Sequence, residues 1–292
     1  MGLPSLLTLS LPSSPNSRTL LAIAGHDPSS GAGMTADLQT FAAHRLFGTS
    51  ALTALTVQST LGVAEIQPVD PALLSRTLDH LCADLPPAGI KIGMLGSSEI
   101  AATVAAFLTT FNQQAGNQAG NQAGSQPRPP VVLDPILRAS SGADLLPPQA
   151  LDTLHQQLLP AVTWITPNWS ELSALTGLEI ENLFDAEAAT HALARRHPHL
   201  HIVVTAGDHS QPTDLLRLPS GEIHRFVGEH IETTSTHGTG CAFSSSLLCL
   251  LVLRDTPIEA VRGAKHFVTE AIHHAPNLGH GRGPLNLFWH LS

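Results

Sequence analysis

Lysine is almost absent. The chain has two, Lys91 and Lys265, in 292 residues and carries a net charge of −9. No basic stripe exists that could neutralise a nucleic-acid backbone or an anionic membrane, so a small-molecule partner is expected instead of either. Charged residues of all kinds make up only 13% against 42% hydrophobic, which excludes a disordered chain and leaves material for one large, well-buried α/β domain. Cysteine is scarce as well. Cys82, Cys241 and Cys249 stand at no disulfide or metal-ligand spacing, and the odd number points to a reducing compartment, the cytoplasm. The longest apolar stretch, LLCLLVL at 247–253, is too short to cross a bilayer. The opening MGLPSLLTLSLPSSPNSR has no basic residue ahead of its apolar patch and no clear small-residue cleavage site. It reads as a loose arm over residues 1–18, with a single domain over 19–292.

Short apolar runs recur: LLAIAG at 20, ALTALTVQ at 51, GIKIGM at 89, VVLDP at 131, TWITPN at 163 and HIVVTAG at 201. Helical patterns separate them, as at 71–84 and 147–159. Runs apolar throughout, alternating with helices, predict parallel strands buried on both faces, the doubly wound α/β class, with ligands at the C-terminal strand ends. After residue 207, DLLRLPSGEIHRFVG alternates around Pro219-Ser220-Gly221 and predicts an antiparallel hairpin at a sheet edge. Helices over roughly 239–253 and 257–275 should close the fold. The low-complexity segment 112–130, NQQAGNQAGNQAGSQPRPP, cannot build a core and reads as a flexible surface insertion.

Several strand ends carry groups with chemical potential. Gly25 opens GHDPSSGAGMTADLQTF, in which Gly31 and Gly33 permit a tight turn into a helix carrying Asp37. No Gly-Lys-Ser/Thr follows, so this is not a Walker A loop, and a plain strand-to-helix turn would need the same glycines. Asp134 directly follows Val131-Val132-Leu133, where a carboxylate is costly to bury without a cation or a donor. Asn168 and Glu171 in TPNWSEL face the start of the next helix, which suits either a site or an ordinary capping box.

TSTHGTGCAF, at 234–243, stands apart. Amides of Gly238, Thr239, Gly240 and Cys241 at the start of an apolar helix would aim donors and the positive helix end at one point, which suits a transferring phosphoryl group. A thiol in such a first turn is expected to have its pKa lowered. Cys249, and with it Cys82, reads instead as a small buried packing residue.

Taken together, AIAGHDPSSGAGMTADLQTF, ALTVQST, KIGMLG, VLDPILRASSG, ITPNWSEL, THGTGC and GHGRGPLN resemble the hydroxymethylpyrimidine and phosphomethylpyrimidine kinases of thiamin biosynthesis, in the ribokinase-like superfamily. The likeness runs in order over about residues 19–290. It implies an ATP- and Mg2+-dependent kinase, typically a homodimer. On the matching positions it implies Cys241 as catalytic base with Gly238, Thr239 and Gly240 as its anion hole. Gly25, Asp37, Gln58 and Met94 would form the pyrimidine pocket, with Asp37 and Gln58 bonding the aminopyrimidine edge. Asp134, Asn168, Glu171, Thr236 and His237 would lie near the triphosphate, Asp134 and Glu171 with the metal.

Two departures bear on that expectation. Where the family usually reads Lys-Gly-Gly-His, this chain reads Ala206-Gly207-Asp208-His209, so an ammonium expected near the nucleotide is missing. With so few lysines, Arg138 or Arg282 would have to stand in. The usual Gln-Asn-Thr-(Gln/Arg)-Gly is here Gln58-Ser59-Thr60-Leu61-Gly62. A related pyridoxal or pyridoxine kinase, and a binding protein that has lost catalysis, are the competing readings. Among seventeen histidines, RRHPHLH at 195–201 has no carboxylate or cysteine at ligand spacing. His237 and His280 are the two histidines expected near the site.

Overall fold

The computed structural model describes residues 18–120, 128–138, 142, 145–146, 150–206 and 212–291. Most of the expected arm, the middle of the low-complexity segment, and Gly207, Asp208 and His209 lie outside them.

The apolar runs become the strands of a nine-stranded sheet in the order β3-β2-β1-β4-β5-β6-β7-β8-β9. Its middle is parallel: β2 (Phe47–Ser59), β1 (Thr19–His26), β4 (Gly89–Ile92), β5 (Val131–Leu133), β6 (Trp164–Ile165) and β7 (His201–Val204). Both edges are antiparallel. β8 (Thr213–Arg217) and β9 (Ile223–Val227) form the expected hairpin beside β7, turning at Pro219-Ser220-Gly221. On the other side β3 (Gly62–Pro68) folds back on β2, a strand the sequence reading had not anticipated. Its GVAEIQP is half exposed and takes its order from pairing with a long β2 rather than from burial.

Successive residues of a buried strand feed opposite layers. Leu21 and Ile23 of β1 join Ile92, Leu108 and Leu193 beneath α2 (Pro71–Asp84), α3 (Ser98–Gly120), α5 (Trp169–Thr176) and α6 (Leu183–Arg196). Leu20 and Ala22 join Phe41, Leu248 and Ala264 beneath α1 (Gly33–Ala43), α7 (Thr239–Val252) and α8 (Pro257–His273). Cys249 is fully buried in that second layer and Cys82 packs against the first, the inert roles expected of both. At about 1.5–3 kcal/mol for each large apolar side chain fully buried, these layers hold the strand ends in place.

Two helices depart from expectation. The segment expected over 147–159 is the short α4 (Ala150–Thr153), a widened turn over Leu154–Leu158 and a tight turn over Leu159–Ala161. The low-complexity segment is not a loop from its first residue: α3 continues to Gly120, because Gln and Ala favour helix and Asn112 Nδ2 donates to Ala161 O at 2.9 Å.

Candidate active site

The first turn of α7 is built around Gly238, whose φ of 84° is left-handed. A Cβ there would sit 1.9 Å from the Gly31 carbonyl oxygen, so only glycine lets this turn meet the glycine loop after β1. No side chain caps α7. The Ala242 amide closes the first turn on Gly238 O, which leaves Gly240 and Cys241 N–H without intrahelical acceptors, as first-turn amides always are. The glycine turn read from the sequence is therefore present, with its first amides unpaired within the helix.

The glycine loop is pinned by Asp27, a residue the sequence reading passed over although Asp-Pro-Ser-Ser is a turn signal. Its carboxylate accepts from Ser29 N, Ser29 Oγ and Ala32 N at 2.7–2.9 Å, and lies 2.7 Å from His237 Nε2. Burial works against its charge, but the bonds from His237 and Ser29 prevail and hold the carboxyl below its usual range. Gln58 Nε2 is 3.3 Å from the same His237 nitrogen. Asp27, His237 and Gln58 thus join the β1 loop, the α7 turn and β2.

Below the turn lies a buried polar cluster. Lys91 of β4 is fully buried, its Nζ 2.8 and 2.9 Å from the two oxygens of Asp37, and Ser245 of α7 donates to Asp37 at 2.8 Å. Burial disfavours the ammonium, but Asp37, Cys241 and Asp134 around it outweigh that and keep it charged. Asp37 thus departs from its expected place at the pyrimidine edge. Its oxygens are taken by Lys91 and Ser245, and none of it reaches the cleft. Lys91, unassigned by sequence reasoning, is the residue that accounts for it; a lysine inside the apolar GIKIGM was the available signal.

Cys241 is also buried, and here a second expectation fails. Burial pushes the thiol up to about 12, with Asp37 and Asp134 adding to the rise and Lys91 and the Gly33 amide only partly opposing it. Desolvation wins over the helix end because the residue is almost fully removed from solvent there.

Asp134, directly after β5, accepts from Ser244 Oγ at 3.2 Å. Asn168 and Glu171 form a complete capping box, Glu171 N donating to Asn168 Oδ1 and Asn168 N to Glu171 Oε2, each at 2.9 Å. The capping reading is thus correct, and it does not exclude a site. Burial raises both Asp134 and Glu171, and the charge of Asp134 raises Glu171 further. Two desolvated hard-oxygen donors facing one cleft fit a divalent cation that keeps water and phosphate oxygens as its other ligands. No cluster of three or more metal-ligating residues occurs among the described residues.

Asp134, Asn168, Glu171, Thr236, His237 and the 238–241 turn all line one cleft of about 690 Å³. Gly25, Gln58 and Met94 are not on its wall. Gly25 and Met94 pack on each other beside it, a Cβ at Gly25 falling 2.3 Å from Met94 Cε, while Gln58 reaches it through His237. Among the described residues, the fixed cations lining the cleft are Arg138 and Arg282. Neither lysine lines it: Lys91 is bound to Asp37, and Lys265 to Asp214 at 2.7 Å. Asp214 in turn accepts from the amide of buried Ala206 at 3.0 Å. The altered 58–62 turn packs under the C-terminal glycine loop, with Arg282 N donating to Thr60 O at 2.9 Å, and His280 lines a second cavity there.

Comparison with known proteins identifies the family. The family model for phosphomethylpyrimidine kinase matches residues 27–286. A hydroxymethylpyrimidine/phosphomethylpyrimidine kinase of Haemophilus influenzae is 39% identical over 277 residues, covering 93% of this chain and 97% of that protein. A pyridoxal kinase from Staphylococcus aureus, solved with AMP-PCP, superposes with a TM-score of 0.79 at 26% identity over 94% of both chains. A phosphomethylpyrimidine kinase from Clostridium difficile superposes with a TM-score of 0.72 at 30% identity, over 87% of this chain and 99% of that one. A glycine-built anion turn facing buried carboxylates, on a chain matched almost end to end, places this protein in the phosphomethylpyrimidine kinase family, and it is a kinase.

Proposed function

We propose that the protein transfers the γ-phosphoryl group of ATP to 4-amino-5-hydroxymethyl-2-methylpyrimidine and then to the resulting monophosphate, serving thiamin diphosphate biosynthesis. One observation carries this reading: the uncapped α7 turn, with Cys241 at its base, opens into the same cleft as Asp134 and Glu171. Amides of Gly240 and Cys241 stabilise the equatorial oxygens of the moving phosphoryl group. Cys241 takes the proton of the hydroxymethyl group. Asp134 and Glu171 hold Mg2+, which supplies charge neutralisation when bound, while Asn168 fixes Glu171 and Thr236 and His237 border the phosphates. Arg138 provides the cationic charge near the nucleotide that Ala206 does not. Gly25, Met94 and Gln58 shape the ring end.

The protein works in the cytoplasm as a homodimer. Leu55, Val57 and Leu61, left exposed along the β2–β3 ribbon, support self-association.

The test is product formation from the pyrimidine with ATP and Mg2+, read by mass spectrometry, with pyridoxal in a parallel tube. The pyridoxal arm is motivated by the structural likeness to pyridoxal kinase. Mono- and diphosphate of the pyrimidine establish the reading, and preferential phosphorylation of pyridoxal replaces it. Binding without product from either substrate would make the chain a binding protein.

A further inference from the structure

Two phosphoryl transfers at one turn make different demands on the wall around it. The alcohol brings a neutral oxygen next to its ring. The monophosphate brings its nucleophilic oxygen on a phosphate group, so the ring must sit farther from α7. It also brings two negative charges toward a cleft that already holds Asp134 and Glu171.

Further open volume adjoins the cleft. A second cavity of about 920 Å³, between the 59–62 turn, residues 230–234 and the 280–282 loop, shares Thr236, His237 and Arg282 with the first. Arg138 lines the first cavity alone, whereas among the described residues Arg282 is the arginine common to both. Its backbone is stapled on each side. Arg282 N donates to Thr60 O at 2.9 Å, Gly283 N to Thr234 O at 3.0 Å, and His237 N to Gly283 O at 3.1 Å. A Cβ at Gly281 would fall 2.1 Å from Thr60 O, so the close approach that sets this position needs glycine there. The staple fixes Arg282 beside the residue that precedes Gly238, while its side chain remains exposed to a ligand.

We infer that Arg282 is the specificity residue of the second transfer, holding the phosphate of the monophosphorylated acceptor at the junction of the two cavities. This rests on the reading under Proposed function. In that transfer the bond from the γ-phosphorus to the ADP oxygen breaks, and a bond from it to an oxygen of the acceptor phosphate forms, giving ADP and the pyrimidine diphosphate. The dianion has no proton to lose above its second pKa of about 6. The step therefore depends on a cation rather than on a base, and a guanidinium fork offers two parallel N–H donors to one phosphate.

The experiment measures kcat/KM for the alcohol and for the monophosphate, supplied separately to the full chain, in wild type, Arg282→Gln and Arg282→Lys. Lost charge-assisted bonding predicts that the monophosphate-to-alcohol ratio of kcat/KM falls about ten-fold or more in Arg282→Gln. Arg282→Lys should recover part of it. An equal fall for both acceptors would assign Arg282 to ATP, common to both transfers, and overturn the inference, as would an unchanged ratio. A wild-type protein that phosphorylates neither acceptor removes the underlying functional reading and this inference together. Activity on the alcohol with an unchanged ratio removes the inference alone.

Discussion

Replacing Lys91 by methionine keeps the length and apolar stem of the side chain and deletes only its charge. Asp37 would then keep a single donor, Ser245, at a position with no solvent access. Breaking a buried pair from one side typically costs about 3–5 kcal/mol, because the remaining charge is uncompensated. At about 2–4 °C per kcal/mol for a chain this large, the midpoint of thermal unfolding should drop by about 10 °C. The effect carries a pH signature. Burial raises the Asp37 carboxyl even with Lys91 present, and without the ammonium it rises further. A carboxyl whose folded pKa exceeds its unfolded value contributes stability below the unfolded pKa and loses it as pH rises through the folded one. The deficit of Lys91→Met relative to wild type should therefore be larger at pH 8 than at pH 5. Urea titrations at both pH values, with Asp37→Leu and the double variant closing a cycle, read this directly. A loss below about 1 kcal/mol that is independent of pH would refute a charged Lys91–Asp37 pair as the support beneath the thiol.

Gly238→Ala forces a Cβ onto the Gly31 carbonyl and a left-handed φ onto alanine. It should lose about 1–2 kcal/mol from the φ alone and at least about a hundred-fold in kcat, measured by ADP release; near-normal turnover would remove the turn from the chemistry. His155 Nε2–H donates to Leu175 O at 2.9 Å, so its Nδ1 is bare and accepts from His197 Nε2 at 3.2 Å. Burial, with His155 and Arg196 beside it, lowers His197 to about 4, so the stability of this neutral pair is intact above pH 6.5 and is lost as pH falls toward 4. His197→Gln should flatten thermal midpoint against pH between 7 and 4.5, and an unchanged slope would show that the acid loss arises elsewhere. With Cys241 near 12, log kcat/KM for the alcohol should still be rising at pH 9, and a plateau at neutral pH would show that this thiol is not the base.

What was legible in the chain was local. Gly238 before an apolar helix, Asp134 at a strand end and Asn168 with Glu171 three residues later each signal their geometry within a few residues, and all line the cleft. Sequence spacing alone left the Asn168–Glu171 pair ambiguous for a physical reason: one set of atoms caps α5 and faces the cavity together. What stayed hidden depended on distant partners. Asp37 and Lys91 are 54 residues apart, and it takes α1 packed on β1, with β1 paired to β4, to bring them within bonding distance as a buried support. β3 escaped notice because it borrows its order from β2. The state of Cys241 escaped because a helix N-terminus is visible in sequence, whereas the depth at which the residue is buried is not.

That depth changes how the site has to work. Burial pushes the thiol up to about 12 and keeps it protonated at neutral pH, so the site does not wait with a standing thiolate. Phosphoryl transfer tolerates this. Its loose transition state leaves little covalent work to the protein, and most of the acceleration comes from placement and charge. The structural constraints fall where that chemistry needs them. Gly238 and Gly31 meet at a distance no other residue permits, Asp27 and His237 lock the two loops together, and Ser244 and Ser245 tie α7 to Asp134 and Asp37. These contacts fix the turn before any ligand arrives, so the amides need no reorganisation when charge develops against them. Loss of the turn should accordingly impair both transfers, whereas loss of the thiol should fall mainly on the first, whose acceptor oxygen carries a proton.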